Sequence, residues 1–97
     1  MERDDILLFL KKHKPTLRQE YGVERIGLFG SYARLAADRD SDIDIAVEFA
    51  DGRKTLGNFL GLKRYLEQHL GKLVDLGIES TLKPVVRDAV KKDMLYA

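Results

Sequence analysis

The stretch Gly27-Leu28-Phe29-Gly30-Ser31-Tyr32-Ala33-Arg34, followed by Ser41-Asp42-Ile43-Asp44-Ile45-Ala46-Val47-Glu48-Phe49, decides how this chain is read. Residues 24–30 form a mostly apolar run closed by glycine, which predicts a short buried strand. Ser31 can cap a helix running to about Ala37. Asp40 and Ser41 mark a turn. Beyond them Ile43, Ile45, Val47 and Phe49 alternate with Asp42, Asp44, Ala46 and Glu48, the period of a strand with one buried face.

Working outward, residues 4–21 carry Ile6, Leu7, Leu10, Leu17 and Tyr21 at helical spacing. Pro15 interrupts them, so two short helices meeting near Lys14 are expected, ended by Gly22. On the other side, Asp51-Gly52 is a turn, and Leu56, Phe59, Leu60, Leu62, Leu66 and Leu70 make a helix that Gly71 stops. Leu73 to Ile78 reads as a third strand. Pro84 opens a last helix carrying Val85, Val86 and Val90, and Met94-Leu95-Tyr96 adds a short terminal strand. Helices alternating with strands predict an α/β (α+β) fold, with a small mixed or parallel sheet and helices packed on it.

The 97 residues suffice for one modest core and form a single expected domain, 1–97. Hydrophobic residues are 44% and charged residues 34%, which excludes disorder and membrane-spanning by composition; Ile6 to Leu10 is the longest apolar run. The acidic start Met1-Glu2-Arg3-Asp4-Asp5 does not suit a secretory signal, and the cytoplasm is the location expected by elimination. The chain has no Cys, which removes disulfides, thiolate metal sites and cysteine nucleophiles. A net charge of +1 speaks against a nucleic-acid binder. The distribution is more telling: Asp38, Asp40, Asp42, Asp44, Glu48 and Asp51 stand against the single base Arg39, an excess of carboxylate that asks for a cation.

Three elements carry chemistry. Gly30-Ser31 at a strand-to-helix junction offers free backbone N–H groups and a hydroxyl to a phosphate, and Arg34 lies on the same side. Read alone, it is more simply a plain strand-to-helix turn with a Ser cap. Asp42 and Asp44 point the same way from a strand, with Cα atoms about 6–7 Å apart, and can converge on a hard cation. The plainer alternative is a solvated polar face. Asp75 interrupts the apolar strand Leu73-Val74-Asp75-Leu76-Gly77; it either joins those two or pairs with a local base such as Lys72. Together the elements make a metal–triphosphate site. One Mg²⁺ would acidify an attacking hydroxyl and a second would neutralise the departing pyrophosphate. Glu48 lies too far along the strand for a metal role. His13 and His69 are assigned to solvated helix faces, and Tyr32, Tyr65 and Tyr96 to packing. The basic cluster Lys83 to Lys92 and Lys63-Arg64 read as solvated faces too.

Gly30-Ser31, ten residues, then Asp42-x-Asp44 resembles the nucleotidyltransferase motif of the DNA polymerase beta superfamily. With Val74-Asp75 after a leucine-rich helix, residues 5–96 resemble the minimal nucleotidyltransferase (MNT) proteins, antitoxins of the HEPN/MNT type. The resemblance implies a polymerase-beta-like fold and Mg²⁺-dependent transfer of a nucleoside monophosphate from an NTP, most often AMP from ATP. It implies that Asp42 and Asp44 bind both metals, that Asp75 completes the catalytic metal site, and that Gly30 and Ser31 hold the triphosphate. It implies a HEPN-type toxin as partner, modified on a tyrosine; no membrane is involved, and self-association is left open. The alternatives are a silent antitoxin acting by steric binding, and transfer to a small molecule or RNA end. One departure stands out: the family has Gly after the motif's Arg, where this chain has Leu35, expected either to lengthen the helix or to occupy the pocket rim.

Overall fold

The computed structural model describes residues 1–97. Helix α1 (Arg3–Tyr21) leads into strand β1 (Val23–Phe29), the one-turn helix α2 (Gly30–Ala33), β2 (Ile43–Phe49), α3 (Leu56–Leu70), β3 (Val74–Ile78), a 3₁₀ turn (Glu79–Thr81), α4 (Pro84–Asp93) and β4 (Leu95–Tyr96). The strands form one mixed sheet in the order β3-β2-β1-β4. β2 and β3 run parallel, while β1 is antiparallel to both β2 and β4. The α/β (α+β) expectation therefore holds, in its mixed form. β1 and β2 pair antiparallel because α2 is a single turn and carries the chain no distance back along the sheet.

The core lies between one sheet face and the layer of α1 and α3. Ile6, Leu10 and Leu17 meet Ile26 and Leu28 of β1, Ile43, Ile45 and Val47 of β2, and Leu62, Leu66 and Leu70 of α3. Val23 and Ile26 both reach this face although they stand three positions apart, an odd number that strict alternation would put on opposite faces. A bulge between Val23 and Arg25 absorbs Glu24 and resets the register, which strict alternation could not do.

Three expectations are corrected. α1 is one helix and does not break near Lys14: Pro15 is exposed, so the carbonyl it leaves unpaired faces water, while buried Ile6, Leu10 and Leu17 hold both halves to the sheet. Ser31 is not a cap. Phe29 occupies the N-cap position without a side-chain hydrogen bond, and the helix ends at Ala33, well short of Ala37. The stop is a Schellman turn: the Leu35 amide donates to the Tyr32 carbonyl (3.2 Å) and the Ala36 amide to the Ser31 carbonyl (2.8 Å). This turn needs a left-handed residue, and Leu35 fills the place at φ +60°. The backbone thus keeps the exit that a glycine would favour, with a strained leucine in it. Finally, His13 is not on a solvated face. It stacks on Phe9 (centroids 4.1 Å apart) and shares a 2.7 Å hydrogen bond through Nδ1 with the Tyr65 hydroxyl, in an aromatic seam joining α1 to α3. Burial, with smaller repulsion from His69 and Lys12, lowers its pKa. Tyr32 packs in the core as expected. No helix is long and apolar enough to cross a membrane.

Candidate active site

The antiparallel register sets Phe29, the last residue of β1, against Asp44 near the start of β2. The parallel register sets Asp44 against Asp75. All three elements singled out in the sequence thus meet at one end of the sheet. Asp44 and Asp75 sit on the face turned away from α1 and α3. At this corner Gly30 takes φ +74°. A Cβ built there would land on the Asp44 carboxylate, 2.8 Å from its Cγ and 3.0 Å from its Cβ. Glycine is therefore required twice over, by torsion and by the carboxylate lying against its backbone.

Asp44 is half-buried, and its pKa is raised. Burial is the main cause, followed by repulsion from Asp75 and then Asp42; Arg34 and the Ser31 amide pull the other way. Asp75 has no local base. Lys72 instead donates to the carbonyls of Arg39 (2.7 Å) and Ser41 (3.4 Å), fastening the turn that leads into Asp42. The pairing of Asp75 with Lys72 is thereby set aside. Glu48 accepts from the Ser80 hydroxyl at 3.0 Å, further along β2.

Arg34 faces Asp44 but is engaged elsewhere: its Nη1 lies 2.8 Å from Asp93 Oδ2 at the end of α4. Together they border a cleft of about 430 Å³ whose floor is Phe29, Gly30 and Asp44, and whose far wall is Val85, Val86, Ala89 and Val90. The sequence reading missed Asp93 and the α4 wall. The sequence places Val85, Val86 and Val90 on the last helix, and only the packing shows that Val85 and Val86 remain exposed beside the carboxylate.

These residues fit a divalent cation by donor chemistry. They are hard oxygen ligands whose mutual repulsion a cation would relieve. They do not form a closed cage, since no three His, Asp or Glu side chains are gathered tightly enough to hold an ion by themselves. Mg²⁺ commonly takes one or two carboxylates and completes its shell with water and phosphate oxygens, so an open arrangement suits it.

A mixed sheet with carboxylates on paired strands beside a glycine corner can hold a cation against a phosphate chain, the chemistry that phosphoryl and nucleotidyl transfer require. The chain belongs to the nucleotidyltransferase domain family, whose model matches residues 10–97. It is similar to protein adenylyltransferase MntA of Thermococcus cleftensis, with 42% identity over 93 residues, covering 96% of this chain and 93% of that protein. Among solved structures it resembles a minimal nucleotidyltransferase (TM-score 0.81, 36% identity, 98% of this chain and 95% of the other). It also resembles a complex of a tri-AMPylated HEPN toxin with its MNT antitoxin from Shewanella oneidensis (TM-score 0.65, 25% identity, 93% and 70%). The polymerase-beta-like expectation is met, and the protein is a nucleotidyltransferase.

Proposed function

We propose that this nucleotidyltransferase moves AMP from ATP to a tyrosine hydroxyl of a HEPN-type toxin, with Mg²⁺ as cofactor, and so acts as the antitoxin. The observation that carries the reading is the pairing of Asp44 with Asp75 across β2 and β3, opposite Gly30. Asp42, Asp44 and Asp75 would hold the ions. Bound there, Mg²⁺ would make an acceptor hydroxyl easier to deprotonate and would neutralise charge on the leaving pyrophosphate.

The protein's own groups do the rest. The Gly30–Ser31 backbone and the Ser31 hydroxyl hold the β- and γ-phosphates against the end of β1. Arg34, held to Asp93 through Nη1, presents its remaining N–H groups to the phosphates. Asp75, exposed on the β3 side of Asp44, faces an incoming hydroxyl. The hydroxyl oxygen forms a bond to the α-phosphorus as the bond to the β-phosphate oxygen breaks, and the hydroxyl proton passes to water or to a carboxylate. The tri-AMPylated toxin bound to an MNT relative supports this choice of partner and of transferred group. Steric antitoxin action without chemistry had its best support in Leu35, and that support is weakened by the left-handed exit that Leu35 retains.

The test is transfer of label from α-labelled ATP, with Mg²⁺, to the toxin encoded beside this chain. Label on a toxin tyrosine with the unaltered protein, lost with Asp42→Asn, is the expected result. A stable unlabelled complex with both proteins would establish the steric reading instead, and label on RNA ends or a small molecule would replace the acceptor.

A further inference from the structure

The wall of the cleft opposite the carboxylates has no role in the chemistry above, yet it is unusually apolar for a surface. Val85 is 82% and Val86 45% exposed, and α4 buries only Val90. Both valines and Ala89 line the same cleft as Gly30, Arg34 and Asp44. We propose that Val85, Val86 and Ala89 form the nucleobase subsite, and that it holds a purine by its face without reading its edge. This rests on the nucleotide reading of the site.

Position favours a base over the acceptor as the occupant. The wall is continuous with the corner proposed for the phosphates, so one nucleotide can span both. Asp75 does not border this cleft; it lies on β3, beyond β2 in the sheet order. An acceptor approaching Asp75 would therefore come from the other side of Asp44. The cleft volume, about 430 Å³, lies in the usual range for small-molecule sites.

Chemistry sets the selectivity. Telling adenine from guanine requires a donor or acceptor aimed at the base edge. The only polar side chains lining the cleft are Arg34, Asp44 and Asp93. Arg34 and Asp93 are paired with each other, and Asp44 belongs to the carboxylate cluster. No Asn, Gln, Ser or Thr side chain lines it. A wall of methyl groups gains from the larger ring area of a purine but cannot strongly reject an isostere that differs by an amino or keto group.

The test is equilibrium binding, with Mg²⁺, of ATP, GTP, CTP and inorganic triphosphate to the wild-type protein and to the double variant Val85→Ser/Val86→Ser, whose folding is checked by circular dichroism. ATP and GTP should bind within about threefold of each other, and CTP more weakly. The double variant should lose about tenfold in affinity for ATP and GTP while holding inorganic triphosphate unchanged. ATP affinity unaltered by the substitutions, with triphosphate still bound, would overturn the subsite alone and mark the wall as a protein-contact surface. A preference for ATP over GTP beyond about tenfold would overturn the claim that the edge goes unread. Failure of both ATP and inorganic triphosphate to bind would overturn the nucleotide reading itself.

Discussion

Replacing Gly30 by Ala puts the tightest contact of the site under strain. The φ of +74° costs an L-residue about 1–2 kcal/mol. The new methyl also meets the Asp44 carboxylate, with Cγ only 2.8 Å away, and forcing it aside adds about 1–3 kcal/mol, as overpacking usually does. The sum, about 2–5 kcal/mol, lowers Tm by roughly 10–30 °C in a domain of this size. The two contributions can be separated. In an Asp44→Ala background most of the obstruction is gone and only the torsional cost remains. Chemical denaturation of the four proteins in this cycle should give a coupling free energy of about 1–3 kcal/mol. Coupling below about 0.5 kcal/mol would refute the claim that the carboxylate lies against the glycine backbone.

Leu35→Gly should stabilise the protein by up to about 1 kcal/mol, because relief of left-handed strain exceeds the entropy glycine loses on folding. Leu35→Ala, which keeps the strain, should not, and thermal melts of the pair decide it. Asp44→Asn should cut transfer at least about a hundredfold while leaving the fold intact. It should also raise stability at neutral pH. With its folded pKa raised, Asp44 contributes stability that is full below the ordinary carboxyl value of 3.8 and is lost as pH rises through the folded value. The excess stability of the variant, followed by urea midpoint, should therefore grow with pH over that window and then level off. Arg25→Met would strip the buried Glu79 carboxylate, 5% exposed, of its guanidinium partner at 3.2 Å, leaving the Tyr96 hydroxyl as donor. Since Arg25 itself is half exposed, a loss of about 1–3 kcal/mol in urea denaturation is expected.

The sequence by itself determined the order of the elements and which carboxylates share a strand face. Alternation in β2 fixed which face is buried, because side chains on a strand take opposite sides in turn, and so it put Asp42 and Asp44 together opposite the core. The glycine that ends α3 was legible for the same local reason, since it has the left-handed backbone such a stop requires. Where a local rule was broken, the reading went astray. A leucine in a glycine's place hid the end of α2, and a solvent-facing proline left α1 whole. Only the tertiary structure decided that β3 lies beside β2 in a register matching Asp75 to Asp44, that Asp93 reaches Arg34, and that Val85 and Val86 face a cleft and not the core. Strand order and helix docking depend on long-range packing between segments, and neighbouring residues in the chain carry no record of it.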